Sequence, residues 1–221
     1  MAGSSSSNAA FTDRTMVVSG GSRGIGLAIA LGAARHGANV VLLAKTAEPH
    51  PKLPGTVHTA VAEVEAAGGK GVAVVGDVRN EDDVVRAVDT AVERFGGIDI
   101  VVNNASAIAT EPTENLTAKK FDLMMDINVR GTFLCSQACL PHLAKASNPH
   151  VLNIAPPPVM RPEWFEHHLA YTMSKYGMSM CVLGMAEEFR EQGIAANALW
   201  PKTTIATAAI RNMLGGDEAI K

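Results

Sequence analysis

The sequence has little of several features that mark whole classes of protein. Among its 221 residues are only three cysteines, and the formal net charge is −3. Three cysteines make no even-numbered disulfide framework, which suits a reducing compartment, so we expect a cytoplasmic protein. No basic run is long enough to form a patch, which disfavours binding to nucleic acid. No apolar run is long enough to cross a bilayer, so we expect no membrane span.

Signals for export and for metal binding are weak as well. Residues 3–8 have neither the basic start nor the apolar stretch of a signal peptide, and we expect residues 1–12 to be a disordered tail. Cys135 and Cys139 are one helical turn apart, but two small apolar side chains buried on a helix explain this spacing better than a metal does. His167 and His168 are adjacent and would point in different directions on a helix. We therefore predict no metal site.

Short apolar runs alternate with longer amphipathic segments along the rest of the chain. Runs rich in Val, Ile and Leu indicate strands buried on both faces, as in parallel sheets. Their alternation with helical segments favours right-handed βαβ units. We therefore predict an α/β fold, a single doubly wound Rossmann-type parallel sheet with helices on both faces. The predicted strands are 15–19, 38–44, 72–75, 98–102, 150–154 and 194–199, and the predicted helices are 25–36, 57–67, 81–95, 118–143 and 170–192.

No internal repeat or composition shift marks a second domain, so we expect one domain over residues 13–221. Glycines follow four of the predicted helices, where helix C-termini favour them. Proline-rich stretches at 49–54 and 156–162 indicate loops. A turn predicted at 215–217 leaves the C-terminal edge of the sheet without its last strand.

A glycine-rich turn at residues 19–26 stands between the first predicted strand and the first predicted helix. Glycines there allow a tight turn and let backbone N–H groups approach a pyrophosphate, which also gains from the helix N-terminus. The position between strand and helix favours a dinucleotide site over an ordinary turn. The predicted contacts of the turn are Gly20, Ser22, Arg23, Gly24, Ile25 and Gly26.

The end of the second predicted strand bears on which dinucleotide is bound. It reads Leu43-Ala44-Lys45, without the acid that would bind a ribose 2′-hydroxyl. Lys45 and Arg23 instead supply positive charge where a 2′-phosphate would lie. We predict a preference for NADP(H) over NAD(H); the alternative is that both are solvated surface charges.

An ordered set of motifs makes the chain similar to the classical short-chain dehydrogenase/reductase family, from about residue 11 to about residue 214. Three further segments, 44–52, 175–180 and 198–203, resemble its hydroxysteroid dehydrogenase-like subgroup, for which a role in lipid metabolism is implied. The family motifs are Gly20-x-x-x-Gly24-x-Gly26, Asp77-Val78, Asn103-Asn104-Ala105-Ser106, Asn128 and Tyr171-x-x-x-Lys175.

The resemblance implies roles for the matching positions. Asp77 and Val78 would hold the adenine, and Asn103, with Ala105 near it, would shape the cofactor groove. The segment after the sixth strand would lie over the nicotinamide, although Lys202 replaces the family's usual glycine there. Predicted helices 118–143 and 170–192 resemble those through which the family assembles, so we expect a homodimer or homotetramer. The cofactor contacts expected in the segment after the sixth strand are Pro201, Thr203 and Thr204.

Tyr171 and Lys175 carry the expected chemistry. Four residues apart on one helix, they share a face. A neighbouring ammonium favours tyrosinate, so the pKa of Tyr171 is expected to fall from about 10 toward the working pH. Tyr171 would then give a proton to a carbonyl oxygen as hydride arrives, or take one in the oxidation. The resemblance implies that Lys175 also holds the nicotinamide ribose and that Asn128 steadies a water relay to Lys175.

One expected group is missing. Family members carry a serine at the end of the fifth strand, whose hydroxyl donates to the substrate oxygen, but here Ala155 and Pro156 occupy the matching positions. Loss of one transition-state donor costs about 10²–10³ in rate. A water or another side chain could substitute. Among the side chains a histidine from the loop before Tyr171 is favoured, although a solvated surface pair explains His167 and His168 better. The side chains considered are Ser174, Asn153, His167, His168 and Trp164.

The sequence thus predicts an NADP(H)-dependent oxidoreductase that interconverts a carbonyl and a secondary alcohol on an apolar, lipid-like substrate. Trp164 and Phe165 support the apolar pocket, although burial in the core would explain them equally well. The alternative is a catalytically weak or inactive dinucleotide-binding protein, a sensor, scaffold or partner subunit, in which Ala155 and Pro156 have ended the chemistry. A binding module that takes no dinucleotide is the least favoured hypothesis.

Overall fold

The computed structural model describes residues 10–51, 54–201, 203, 205 and 207. In this part of the chain six parallel strands form one sheet in the order β3-β2-β1-β4-β5-β6. The strands are Thr15–Ser19 (β1), Asn39–Ala44 (β2), Lys70–Val75 (β3), Ile100–Asn103 (β4), His150–Ile154 (β5) and Ala195–Leu199 (β6).

The connections between the strands are helical, which confirms the predicted α/β fold. Several helix ends are fixed locally: the Thr56 side chain accepts from Thr59 N in a capping box, and Gly37, Gly68 and Gly96 have positive φ values where helices end. The helices are Gly24–Ala34 (α1), Val57–Ala66 (α2), Glu81–Phe95 (α3), Ala118–Met124 (α4), Gly131–Leu143 (α5) and Leu169–Glu188 (α6).

Two of the predicted helices are not regular along their length. The helix predicted at 118–143 contains a π-helical segment, Met125–Arg130, between α4 and α5. The helix predicted at 170–192 ends at Glu188, and Arg190–Gln192 forms a 3₁₀ turn. Apolar periodicity does not distinguish these helix types, because each keeps apolar side chains on roughly one face.

Successive strand residues pack into cores on opposite faces of the sheet. Val17 and Val101 lie in a cluster with buried residues of α3, α5 and α6. Val18 and Val102 lie in a second cluster with residues of α1 and α2. Burial of strands on both faces explains why they appear in the sequence as continuous apolar runs.

The folded part of the chain begins earlier than predicted. Residues 10–12, assigned above to the tail, form a turn in which Phe11 N donates to His36 O at 3.0 Å, and the Phe11 and His36 rings contact each other edge to face. The aromatic side chain of Phe11 therefore packs against the end of α1. The turn predicted at 215–217 lies outside the described residues. Within them, no helix combines the length and apolar character needed to span a membrane.

Candidate active site

The candidate site lies where the strand order reverses, at the carboxyl ends of β1 and β4. These strands are adjacent at the centre of the sheet, with Ser19 paired to Asn103. Open parallel sheets bind ligands in the crevice that forms at such a switch point. The glycine-rich turn leaves β1 here, and the segment with Ala105 and Ser106 leaves β4.

Two glycines of the turn are required by close contacts with that segment. Gly20 has φ +69°, and a Cβ on it would lie 2.8 Å from Ala105 Cα. A Cβ on Gly26 would lie 2.4 Å from Asn104 Nδ2 and 2.7 Å from Gly20 O. Asn104 Nδ2 occupies this space because it donates to Ser19 O and Gly20 O at 3.1 and 3.0 Å. Asn104 thus joins the two segments, a role that sequence reasoning did not assign to it.

The N-terminus of α1 is free of side chains that would compete with an anion. Its N-cap residue, Arg23, makes no capping hydrogen bond, and the first turn, which holds Ile25, contains no acid. Ser22 is buried just before it, and Gly24 has φ +60°. A helix N-terminus whose backbone N–H groups have no side-chain cap and no acid nearby suits the binding of a pyrophosphate.

The Arg23 side chain is directed at the neighbouring loop. Arg23 Nη2 donates to Gly55 O at 2.7 Å, whereas Arg23 Nε is buried without a partner. Burial lowers the pKa of Arg23 from its usual value. A partly buried guanidinium with one unused donor is a suitable partner for an anionic group, because pairing would satisfy the donor.

Lys45 and Asp77, predicted to contact the 2′-phosphate and the adenine of the cofactor, are paired with each other. Lys45 Nζ lies 3.1 Å from Asp77 Oδ2, and Arg79 donates to the same oxygen through Nε and Nη2. Arg79 and Lys45 hold the pKa of Asp77 below its usual range, against the effect of burial. Val78 is buried in the core beside α5. Arg79, which the sequence analysis did not consider, adds a second positive charge here.

Asn103 anchors the carboxyl end of β4 in a buried polar network. Its Nδ2 donates to Asn153 Oδ1 and to Ser136 Oγ, both at 2.8 Å, while its Oδ1 is buried without a partner. Asn153 Nδ2 in turn donates to Met178 O at 3.0 Å. The network therefore ties β4, β5, α5 and α6 together beneath the site.

Lys175 reaches from α6 to the end of β5. Its Nζ donates to Ile154 O at 2.6 Å and contacts Met178 Sδ at 3.1 Å. Burial lowers the pKa of Lys175 to about 8. The ammonium is thus fixed immediately beside Ala155, where the family's serine is missing.

The pKa of Tyr171 moves in the direction opposite to the one we predicted. Burial raises it, and the opposing contribution comes from a hydrogen bond with the Ser106 side chain rather than from Lys175. The prediction of a lowered pKa was wrong because it counted the Lys175 charge and neglected burial of the phenol. Ser106 belongs to a motif that the sequence analysis quoted, but only the fold shows that it contacts Tyr171.

Asn128, in the π-helical segment, is fully buried and holds the β4 loop and α6 together. Its Oδ1 accepts from Ala107 N at 2.8 Å, and its Nδ2 donates to Ala107 O at 2.9 Å and to Ser174 Oγ at 2.8 Å. Ser174 Oγ donates to Tyr171 O at 2.8 Å. Asn128 therefore connects the backbone next to Ser106 with the backbone of Tyr171.

The histidine favoured as a substitute for the missing serine is held by other contacts. His168 Nδ1 lies 3.2 Å from Thr172 Oγ1, and its ring contacts the Tyr171 ring edge to face. His167 is highly exposed and paired with Glu166. The Trp164 ring contacts Trp200. The structure therefore gives His167 and Trp164 no contact with Tyr171.

The segment after β6 is described only in part. Pro201, Thr203 and Thr207 are described, whereas Lys202 and Thr204 lie outside the described residues. Thr207 Cγ2 lies 3.5 Å from the position of a Cβ on Gly24, so this segment passes close to the glycine turn.

A cavity of about 290 Å³ begins next to Ser106 and has mainly apolar walls. Ala107, Leu123 and Met124 lie among its walls, and an ion pair between Glu111 and Lys120 lies at its edge. Ala107 and Met124 also pack in one apolar cluster with Tyr171. Among the described residues, no group of three or more His, Cys, Asp or Glu side chains is arranged to hold a metal.

Comparison with known proteins gives a consistent set of relatives. Residues 14–214 match the family model described as short chain dehydrogenase. The chain is 62% identical over 207 residues to hydroxysteroid dehydrogenase-like protein 2 of Danio rerio, covering 94% of this chain and 49% of that protein. It therefore spans about half the length of the curated relatives it matches. These matches confirm the predicted resemblance to this family and subgroup.

Solved structures show the same fold and include both cofactor types. A putative dehydrogenase from Xanthomonas campestris has a TM-score of 0.90 at 57% identity, covering 93% of this chain and 75% of that one. A Mycobacterium paratuberculosis short chain dehydrogenase bound to NAD has a TM-score of 0.79 at 26% identity, covering 94% and 76%. A metagenomic short-chain oxidoreductase in complex with NADP has a TM-score of 0.77 at 27% identity, covering 87% and 84%.

Proposed function

The chain belongs to the short-chain dehydrogenase family, and on that premise we propose that it is an NADP(H)-dependent oxidoreductase that interconverts a carbonyl and a secondary alcohol on an apolar, lipid-like substrate. The observation that carries this proposal is the position of Tyr171 and Lys175. Both lie on α6, and Lys175 binds the end of β5. An acid/base pair thus lies at the same sheet edge as the glycine-rich turn.

The residues at the turn fit a nicotinamide dinucleotide. Gly20 and Gly26 keep the backbone close, and the N-terminus of α1 has N–H groups without side-chain caps, so the pyrophosphate would lie there. Asp77 and Val78 would hold the adenine side, and the segment with Pro201, Thr203 and Thr204 would cover the nicotinamide side. Asn103, Ala105 and Ser22 would complete the groove.

Preference for the 2′-phosphorylated cofactor is supported by charge. Lys45 stands directly after β2, where no acid adjoins it in the sequence, and pairs with Asp77 from the end of β3, while Arg23 retains an unused buried donor. Arg79 adds a further positive charge in this region, where it pairs with Asp77. An acid at the end of β2 would repel a 2′-phosphate, whereas this arrangement would attract one. Related structures contain NAD in one case and NADP in another. The preference for one cofactor must therefore be argued from the residues of this chain.

The bound cofactor would supply or accept a hydride at the substrate carbon. In reduction, the Tyr171 phenol would give its proton to the carbonyl oxygen, and in oxidation the phenolate would take a proton from the alcohol. Burial raises the pKa of Tyr171, which keeps the phenol protonated for reduction. Lys175 would hold the nicotinamide ribose and replace the proton, with Asn128 positioning the relay.

An apolar substrate is supported by the walls around the site. The cavity next to the apolar cluster that contains Tyr171 is lined by alanine, isoleucine, leucine and methionine side chains together with Thr110, Glu111 and Lys120. Trp164 and Trp200 contact each other on the loops that follow β5 and β6. Apolar walls with few polar groups favour a substrate that is largely hydrocarbon.

Assembly and compartment are part of the proposal. Phe133 on α5 is 48% exposed and Leu183 on α6 is 63% exposed, so both helices leave large apolar side chains uncovered. A second copy of the chain would cover them in a homodimer or homotetramer. The cysteines Cys135, Cys139 and Cys181 are free thiols, which favours a reducing compartment such as the cytoplasm.

The competing function is a dinucleotide-binding protein with little catalysis. Ala155 is 2% exposed and has no side-chain donor, and Pro156 has none either. The test is NADPH consumption with acetophenone, cyclohexanone and 2-decanone, using wild-type protein and Ala155→Ser after both are shown to bind NADPH. Turnover by the wild type supports the oxidoreductase, and turnover by Ala155→Ser alone supports the competing function.

A further inference from the structure

We infer that the Ser106 hydroxyl is the second hydrogen-bond donor to the substrate oxygen, supplied from the end of β4 in place of the serine missing from the end of β5. This inference rests on the proposed oxidoreductase function, because it assigns a residue to that reaction. The group that needs a partner is the oxygen that receives the Tyr171 proton. Any second donor must therefore lie within reach of the Tyr171 phenol.

Ser106 meets that requirement. The next residue, Ala107, packs in one apolar cluster with Tyr171, and Asn128 and Ser174 link Ala107 N to Tyr171 O by hydrogen bonds. The Ser106 side chain is close enough to the Tyr171 phenol to oppose the effect of burial on its pKa. Two groups that both contact one oxygen of a substrate must themselves be close neighbours, as Ser106 and Tyr171 are. The residue is exposed and directly precedes Ala107, which lies in the cavity wall. Its hydroxyl is therefore exposed, on the residue next to the cavity wall.

The backbone on both sides of Ser106 is fixed. On one side, Asn104 N and Ala105 N donate to Ser19 Oγ at 3.1 and 3.2 Å. On the other, both backbone groups of Ala107 are bonded to Asn128. A hydroxyl held between two such anchors is preorganised, which is the property that makes a transition-state donor effective.

The other contact of the Ser106 hydroxyl is weak enough to be exchanged for a substrate. Ser106 Oγ donates to Ala107 O at 3.4 Å, longer than the usual 2.5–3.0 Å for a hydroxyl donor. If the hydroxyl left Ala107 O and donated to the developing alkoxide of the substrate, the new hydrogen bond would be stronger, because the acceptor is charged. The exchange would therefore stabilise the transition state. The hydroxyl keeps its proton throughout; the proton that forms the alcohol comes from Tyr171.

The alternative donors are already engaged in the fold. Ser174 Oγ is fully buried and donates to Tyr171 O. Asn153 Nδ2 donates to Met178 O. His168 contacts Thr172. Moving any of these toward a substrate would break a bond that positions α6 or β5, whereas turning the Ser106 hydroxyl breaks the long contact to Ala107 O and no bond between those elements.

The test compares kcat and KM for NADPH-dependent reduction of whichever of acetophenone, cyclohexanone and 2-decanone the wild type reduces. Ser106→Ala is expected to lower kcat by about 10²–10³ with KM changed much less, while Ser106→Thr, which keeps a hydroxyl, retains most of the rate. The double variant Ser106→Ala/Ala155→Ser should recover part of the loss, because it returns a donor at the end of β5. The matched control is Ser147→Ala, an exposed serine after α5, which should behave as the wild type.

The outcomes separate this inference from the function on which it rests. The role of Ser106 would be overturned if kcat of Ser106→Ala stayed within threefold of the wild-type value. It would also be overturned if the double variant turned over no faster than Ser106→Ala. Either result would leave the oxidoreductase function intact. Absence of turnover in the wild type and in Ala155→Ser, with NADPH bound, would overturn the proposed function and the role of Ser106 together. Loss in Ser106→Ala with recovery in the double variant supports both.

Discussion

Asn128 Nδ2 donates to Ser174 Oγ at 2.8 Å, and this bond joins the π-helical segment to the helix that carries Tyr171. The same amide binds both backbone groups of Ala107. One buried side chain therefore sets the distance between the β4 loop and α6. The position of Ser106 relative to Tyr171 depends on it.

Replacing Asn128 should lower both the stability of the fold and the rate of turnover. Asn128→Ala leaves the buried backbone groups of Ala107 without partners, so we expect the free energy of unfolding to fall by about 1–3 kcal/mol or more. Urea denaturation measures this, with exposed Asn148→Ala as control. If Asn128→Ala were as stable as the wild type, the three hydrogen bonds of the Asn128 side chain would make no net contribution to the free energy of unfolding.

The glycine turn offers a matched pair of substitutions within α1. Gly26→Ala forces a Cβ to 2.4 Å from Asn104 Nδ2, whereas Gly32→Ala meets nothing within 4 Å. We expect Gly26→Ala to lose about 1–3 kcal/mol of stability and to bind NADPH poorly. Gly32→Ala should gain about 0.5–1 kcal/mol. Thermal melts and NADPH fluorescence titrations check both, and equal behaviour would contradict the packing described here.

Lys45 should decide the choice between cofactors. We expect Lys45→Ala to weaken NADPH binding about tenfold, because it removes one charge-assisted contact, while NADH binding changes less than twofold. Titrations with both cofactors measure the ratio, and Lys119→Ala, an exposed lysine on α4, is the control. Equal losses for the two cofactors would show that Lys45 does not face the 2′-phosphate.

Lys175 predicts a particular dependence of stability on pH. Burial lowers its pKa from 10.5 to about 8, so between these values the unfolded chain binds more protons than the folded one. The free energy of unfolding must then rise with pH across that window, and the burial cost is fully present below pH 8. Relative to Lys175→Met, the wild type should gain on the order of 1–3 kcal/mol between pH 7.5 and 10.

Urea denaturation at several pH values measures that difference. The same substitution at Lys145, which is exposed, should leave the pH profile of the wild type unchanged. Parallel profiles for the wild type and Lys175→Met would contradict the burial of a charged ammonium beside Ile154.

The exposed apolar residues of α5 and α6 predict the oligomeric state. If a second copy covers them, Leu183→Glu should dissociate the assembly, because it places a charge in an apolar interface. Light scattering on the wild type and the variant measures the mass, with Met160→Glu in the loop after β5 as an exposed control. A wild type that is monomeric at micromolar concentration would refute the proposed assembly.

The fold was largely predictable because its signals are local. β1 and β5 have the predicted limits, and the other strands differ by one or two residues at their ends. Buried parallel strands produce continuous apolar runs, and glycines mark the helix ends, so neighbouring residues alone carry this information. The π-helical segment was missed because apolar periodicity does not distinguish it from an α-helix.

The site was predictable in its members but not in its contacts. Tyr171, Lys175 and Asn128 were recognised from spacing and family resemblance. The direction of the Tyr171 pKa was not, because burial depends on the packed loops around it. Ser106 lies far from Tyr171 along the chain, and the two are brought together by the pairing of β4 with β5 and by the Asn128 bonds to Ala107 and Ser174.

The most direct test of the central claim is NADPH oxidation with the carbonyl compounds named above by wild-type protein, Tyr171→Phe and Tyr176→Phe. These are the two tyrosines of the chain, and the Tyr176 hydroxyl only donates to Val159 O at 2.8 Å. We expect all three proteins to bind NADPH alike. Turnover should fall at least about 10²-fold in Tyr171→Phe, as expected when a general acid is lost, and only a few-fold in Tyr176→Phe. Equal turnover by the wild type and Tyr171→Phe, or none by the wild type with NADPH bound, would contradict the account.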